Sequence, residues 1–303
     1  LQLASSVHYL LWVPVAALAV WLVIWRVGFD LVENVTGLVG LLLVGFAVAS
    51  FLLGPGWAQL TDQLLQRVPH GESPATYWFY AVALFGAALT PYEVFFFSSG
   101  AVEEGWSSED LAQSRLNVLV GFPLGGLLSL AIAGCAALTL LPLGAEVTTL
   151  SQVVLPVAEA GGRVLLIAII LGVVAATFGA ALETTLSTGY TLAQFFGWSW
   201  GKFRAPAEAA RFHITMIVCL LVGVAVLATG VDPVMVTEIS VVFSAVALPL
   251  TYLPILIVAN DPDYLGDQVN PRLLNIAGQV YFVLILVASV AAIPLMIVTG
   301  VGR

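Results

Sequence analysis

Two carboxylates stand where hydrocarbon would be expected. Glu93 lies in Tyr77–Gly100, YWFYAVALFGAALTPYEVFFFSSG, an apolar run long enough to cross a bilayer. With Thr90, Pro91 and Tyr92 it puts a polar break in the middle of that run. Glu183 lies in FGAALETTLSTGYTLAQF, a stretch rich in small residues and hydroxyls. A proline inside a helix removes one backbone donor and clashes with the carbonyl one turn back. Broken backbone at membrane depth persists only where protein buries it or where it lines a cavity. An ionisable side chain beside such a break marks a substrate or ion pathway by default. The chemistry that fits is cation binding. The Glu93 carboxylate, the Thr90 hydroxyl and carbonyls freed by Pro91 are hard oxygen ligands suited to hard divalent ions. The plain alternative places Glu93 near the membrane interface, hydrogen-bonded to a neighbouring helix. Glu183 divides the same way, between a proton or cation carrier facing the bundle interior and one half of an interhelical hydrogen bond to Ser or Thr.

Other residue types offer less. Asp232 and Glu238 read as a cap or solvated loop before an apolar run, and Asp261 and Asp263, in NDPDYLGD, as a turn. His8, His70 and His213 are scattered, and no H-E-x-x-H spacing, P-loop or nucleophile elbow occurs. The chain is therefore expected not to be an enzyme, and no cofactor is called for beyond a transported ion. Cys135 and Cys219 both sit in apolar runs and read as small packing residues.

Positioning these carboxylates falls to membrane-spanning helices. The chain is 60% hydrophobic and 9% charged, against about 25% charged for a soluble domain, so an all-α integral membrane protein is expected. Nine Lys and Arg in all leave no basic cluster for nucleic acid. A bilayer core of ~30 Å takes about 20 apolar residues. Eight spans follow: Val7–Val27, Val35–Leu53, Tyr77–Gly100, Leu116–Leu141, Val164–Phe195, Phe212–Ala228, Val236–Val258 and Ile276–Thr299. The fifth is too long for a simple crossing, and the seventh carries Pro249 and Pro254 as expected kinks. Gly54–Pro74 reads as a loop with a short amphipathic piece and an interfacial Trp57. Ala101–Arg115 reads as an acidic loop with a cap at Ser108, and TTLSQVVLPVAEAGG, up to Gly162, as a short interfacial helix.

Lys202, Arg204, Arg211, Arg272, Arg115 and Arg26 fall on one side of this topology, and Arg67, Arg163 and Arg303 on the other. Six against three puts loops 101–115, 196–211 and 260–275 in the cytoplasm of a multi-pass cell-membrane protein. The N-terminal end then lies outside, and further helices are expected upstream of Leu1.

The run AALTPYEVFFFSSG resembles the sixth-helix signature, A-x-x-M-P-H-N, of the natural resistance-associated macrophage protein (NRAMP) family of divalent metal transporters. NDPDYLGDQVN resembles the family's link before its eleventh helix, VVFSAVALPLTYLPIL its tenth helix, and TFGAALETTLSTGYTLAQF its eighth. The resemblance covers nearly the whole chain and rests on the order and spacing of these motifs. It implies a LeuT-like fold of two inverted five-helix repeats, with metal bound where both first helices unwind. The eight spans would be family helices four to eleven. Residues 1–75 would end the first repeat, 76–259 would form the second, broken at 90–93, and 260–303 would add a helix. The first three helices, including a D-P-G-N motif that faces the site, would lie upstream.

The resemblance also implies the ligands. Ala87 takes the alanine position, Thr90 replaces the methionine, Tyr92 the histidine and Glu93 the asparagine; Val241 stands for the tenth-helix glutamine. A thioether suits transition metals and a hydroxyl suits hard ions, and tyrosine does not titrate near neutral pH. These departures resemble the magnesium-transporting branch. The metal residues are then Ala87, Thr90 and Glu93, with Pro91 as the break and Tyr92 and Glu183 along the pathway. The expected function is transport of a divalent cation, Mg²⁺ or Mn²⁺, by alternating access with weak or no proton coupling. Alternatives are a proton-coupled Mn²⁺/Fe²⁺ transporter of the same family, a Na⁺-coupled transporter of an organic substrate, which Glu93 would disfavour for anions, and a scaffold subunit. The lipid bilayer and the ion are the expected partners.

Overall fold

The computed structural model describes residues 8–27, 29–54, 73–140, 143–144 and 150–300. The amphipathic piece and Trp57 of the 54–74 segment, Arg67, His70 and Arg303 lie outside the described residues. Every described element is helical. In order these are α1 Tyr9–Arg26, α2 Phe29–Gly40, α3 Val44–Leu52, α4 Pro74–Ala87, α5 Pro91–Glu103, α6 Leu111–Thr139, α7 Leu155–Phe195, α8 Ala210–Ala228, α9 Pro233–Val258, α10 Pro262–Leu265 and α11 Arg272–Thr299.

Seven helical runs among the described residues are long and apolar enough to cross a membrane, and Leu10–Arg26 is a shorter apolar helix. Their surfaces explain the composition. Leu119, Val164, Leu250 and Val290 are all more than 70% exposed on their helices, as suits side chains whose solvent is lipid and whose backbone groups are satisfied within the helix. The chain is a multi-pass membrane protein of all-α fold.

The described residues form two compact units. One comprises residues 8–54 and Phe95–Gly230, the other residues 73–94 and 231–300. In the first, α7 is the spine, packing against α1, α2, α3, α6 and α8. One core patch joins Val20 and Ile24 of α1 to Leu182, Leu186 and Tyr190 of α7 and to Phe212 and Met216 of α8. A second joins Phe46 and Ala49 of α3 to Cys135 of α6 and to Val157 and Ile169 of α7. In the second unit, α4, α9 and α11 pack on one another, around Phe79, Val242, Ala245 and Ala292.

Both cysteines are free, and Cys135 is fully buried. Its thiol donates to the Phe46 carbonyl at 3.1 Å and lies 3.0 Å from Ser50 Oγ. The fifth span is one continuous helix, overlong as expected, and the break in its element lies just before it. α7 is interrupted at Gly162, with φ 64° and ψ −159°, backbone that only glycine adopts readily. The segment before it is helical, as expected of the short helix there. α9 runs through Pro249 and Pro254 as one helix.

Two capping expectations are corrected. The turn before α6 is capped by Ser107, not Ser108. Ser107 Oγ accepts the Glu109 N–H while Asp110 accepts the Ser107 N–H, a reciprocal pair that needs the carboxylate three residues on. Asp232 does cap α9, accepting from Val234 N–H at 2.9 Å. Glu238 caps nothing, because Pro233 already opens the helix and places Glu238 in its second turn, half-buried. The NDPDYLGD turn is present, with Asp261 capping the short α10 and Asn270 N–H returning to the Ala259 carbonyl at 3.0 Å.

Candidate cation site

The break falls between α4 and α5. α4 ends at Ala87, residues 88–90 are not helical, and α5 begins at Pro91. Proline suits the first position of a helix because its missing N–H would be unpaired there anyway. The cost falls on the helix before it. In an unbroken helix the donor for the Ala87 carbonyl would be residue 91, and Pro91 has none. The turn bonds that close α4 run from Ala88 N–H to Leu84 at 3.0 Å and from Leu89 N–H to Gly86 at 3.4 Å. Among the described residues no such turn bond reaches the Ala87 carbonyl. It is left at the negative end of the α4 dipole.

Thr90 carries the second oxygen. Its backbone carbonyl accepts the Glu93 N–H at 3.2 Å. Its side chain is buried, 9% exposed, yet no hydrogen-bond partner for Oγ1 is found among the described residues. A buried polar atom without a partner is uncommon. Glu93 is half-buried in the first turn of α5, where the helix N-terminus favours a carboxylate on its own account. Tyr92 beside it is also half-buried.

Ala87, Thr90, Pro91, Tyr92 and Glu93 thus belong to one short stretch of the second unit. Glu183 belongs to the first unit, half-buried on α7 beside the buried Leu182. Two nearby hydroxyls bond back to their own helix: Thr184 and Thr188 donate to the carbonyls of Ala180 and Thr184. Among the described residues no three His, Cys, Asp or Glu side chains converge as a metal cluster.

One supporting residue is not singled out by sequence reasoning. Gly86 is buried against α9, where a Cβ would meet Ala245 Cβ at 2.8 Å and the Val241 carbonyl oxygen at 3.0 Å. Val241 therefore lies against α4 one residue before Ala87. Small residues let membrane helices approach closely, and the glycine in AVALFGAALTP carried that signal.

A broken membrane helix with a buried unpaired hydroxyl, a freed carbonyl and a carboxylate at the break defines an integral membrane protein with a candidate ion site. The sequence pattern of the natural resistance-associated macrophage protein-like family matches residues 1–294, and the chain belongs to that family. It is similar to proteins named divalent metal cation transporter MntH. That of Klebsiella pneumoniae is 27% identical over 270 residues, 86% of this chain and 60% of the relative. That of Deinococcus radiodurans is 25% identical over 260 residues, 79% and 56%. That of Clostridium acetobutylicum is 22% identical over 254 residues, 82% and 56%. The chain spans little more than half the length of these relatives.

Proposed function

We propose that this chain belongs to a transporter that carries divalent metal cations across the membrane, with Mg²⁺ as the preferred ion and Mn²⁺ the second. The observation that carries this is the buried Thr90 hydroxyl, without a partner among the described residues, at the break that Pro91 makes and three residues before the Glu93 carboxylate. With the Ala87 carbonyl these make three oxygens of a kind that suits a hard ion. With one carboxylate among them, they suit an ion that keeps part of its water, as Mg²⁺ does. Relatives named divalent metal cation transporters support the cargo class. Tyr92, in the family's histidine position, supports transport without obligatory proton coupling. Pro91 supplies the break, and Glu183 is assigned to the pathway.

The proposal includes the topology. Residues 76–259 form one inverted repeat, and loops 101–115, 196–211 and 260–275 face the cytoplasm. Uptake of Mg²⁺ and Mn²⁺ into proteoliposomes by the full chain, with and without a pH gradient, tests it. Wild-type protein should accumulate Mg²⁺ without acidifying the lumen, and Glu93→Gln and Thr90→Ala should each lower uptake about tenfold or more, the loss expected when a ligand to a charged group is removed. Unchanged uptake in both variants would sink the site assignment, and proton entry in step with metal would sink the uncoupled mechanism.

A further inference from the structure

α5 is held firmly at the end away from the break. Glu103, its last residue, uses both carboxylate oxygens. Oε2 accepts the Tyr190 hydroxyl, and Oε1 accepts the Phe203 backbone N–H at 3.0 Å. One turn earlier on α5, the buried Ser99 hydroxyl accepts from Gln194 Nε2 at 2.8 Å. Tyr190 and Gln194 are themselves one turn apart on α7, so the two bonds make a two-rung ladder between α5 and α7. Tyr190 is 1% exposed, and its ring packs at 5.3 Å from Phe212 and 5.7 Å from Trp200. Packing therefore fixes the direction of its hydroxyl. The link after α7 folds over the same carboxylate. A Cβ on Gly201, whose φ is 131°, would come within 3.1 Å of Glu103 Oε1. His213, at the start of α8, is bonded to the Arg204 carbonyl at 3.1 Å. A cavity of about 600 Å³, lined by Glu103, Trp198, Trp200, Phe203 and Arg204 among others, lies beside this clasp.

We infer that Glu103 is the positioning residue of α5, the helix whose first turn carries Glu93. It fastens the Phe95–Glu103 part of α5 to α7 and to the α7–α8 link. The two carboxylates are ten residues apart on one helix, about 15 Å along its axis at ~1.5 Å per residue. A carboxylate bonded to two donors holds more strongly than a neutral acceptor, and removing it leaves a buried phenol unsatisfied. The bearing on transport rests on the function proposed above; the clasp itself does not.

The test uses the full chain in lipid, with Glu103→Ala, Glu103→Gln and Tyr190→Phe, read by amide hydrogen exchange and by Mg²⁺ uptake kinetics. Glu103→Ala should speed exchange at Phe203 and its neighbours about tenfold, the scale of one lost charged hydrogen bond. It should raise the apparent KM for Mg²⁺ more than it lowers the maximal rate. Glu103→Gln keeps one acceptor oxygen and should fall between. Glu103→Ala and Tyr190→Phe should combine to less than the sum of their effects, because they remove one bond. Unaltered exchange across residues 199–206 and α5 would overturn the clasp. Faster exchange with an unmoved KM would overturn its positioning role. If Glu103→Ala does not fold, Tyr190→Phe, which removes a single hydroxyl, carries both arms. Absence of uptake by the wild-type chain would overturn the transport function and leave the clasp to be decided by exchange.

Discussion

Gly86 and Ala245 touch so closely that a Cβ on the glycine would stand 2.8 Å from that of the alanine. The contact clamps α4 to α9 one residue before the freed Ala87 carbonyl, and the Val241 carbonyl forms its other side. Gly86→Ala should therefore act as overpacking, costing about 1–3 kcal/mol, and should lower uptake by displacing the end of α4. Ala245→Gly in the same background should recover much of both losses, because it removes the atom that clashes. Thermal unfolding in detergent measures the first and proteoliposome uptake the second. A Gly86→Ala protein as stable and as active as wild type would show that the clamp is not tight.

Cys135 provides a check on the first unit. Its thiol is fully buried between α3 and α6, bonded to Phe46 and Ser50. A membrane-permeant maleimide should leave it unlabelled in the folded protein and label it once detergent-unfolded. Ser50→Ala should destabilise by about 1 kcal/mol, the usual net worth of one such bond. Labelling of native Cys135 at the rate of an exposed thiol would contradict this packing.

Much of this was legible from local pattern. Pro91 in an apolar run announces the break, since its missing donor is a property of the residue alone. The spans follow from hydrocarbon runs: seven of the eight fall in helical runs long and apolar enough to cross a membrane, and the first falls in the shorter helix Leu10–Arg26. What sequence could not show is pairing over distance. Glu103 is an unremarked acidic loop residue until Tyr190 and the Phe203 amide, both far along the chain, are folded onto it. Gly86 looks like any glycine until α9 lies against it. Ser107 and Ser108 are equivalent by composition, and only the reach of the Asp110 carboxylate decides between them.

Pro91→Ala tests the physical basis of the break. Alanine restores an N–H at residue 91, whose natural acceptor is the Ala87 carbonyl one turn back. The segment 88–91 should gain helix, slowing amide exchange there, and uptake should fall because the carbonyl is no longer available to an ion. Folding should not suffer, since alanine is the best helix former. Exchange at 88–91 as fast as in wild type would mean that Pro91 is not what keeps the helices apart.

Thr90 separates a structural hydroxyl from a functional one. Thr90→Val has nearly the same shape and removes the oxygen. A hydroxyl bonded within the fold would make this substitution destabilising by about 1 kcal/mol, whereas one that is buried without a partner makes it neutral or stabilising, by up to about 1–3 kcal/mol. The absence of a partner for Oγ1 among the described residues predicts the second outcome. Uptake should nevertheless fall, because the same oxygen would serve the ion. Thr90→Met then asks about the ion itself. A thioether favours softer transition metals over hard ions, so the ratio of Mn²⁺ to Mg²⁺ uptake should rise about tenfold, equivalent to ~1.4 kcal/mol of discrimination. A stable Thr90→Val protein that transports Mg²⁺ at the wild-type rate, together with an unchanged ion ratio in Thr90→Met, would remove Thr90 from the site and leave Glu93 and the Ala87 carbonyl to account for any binding.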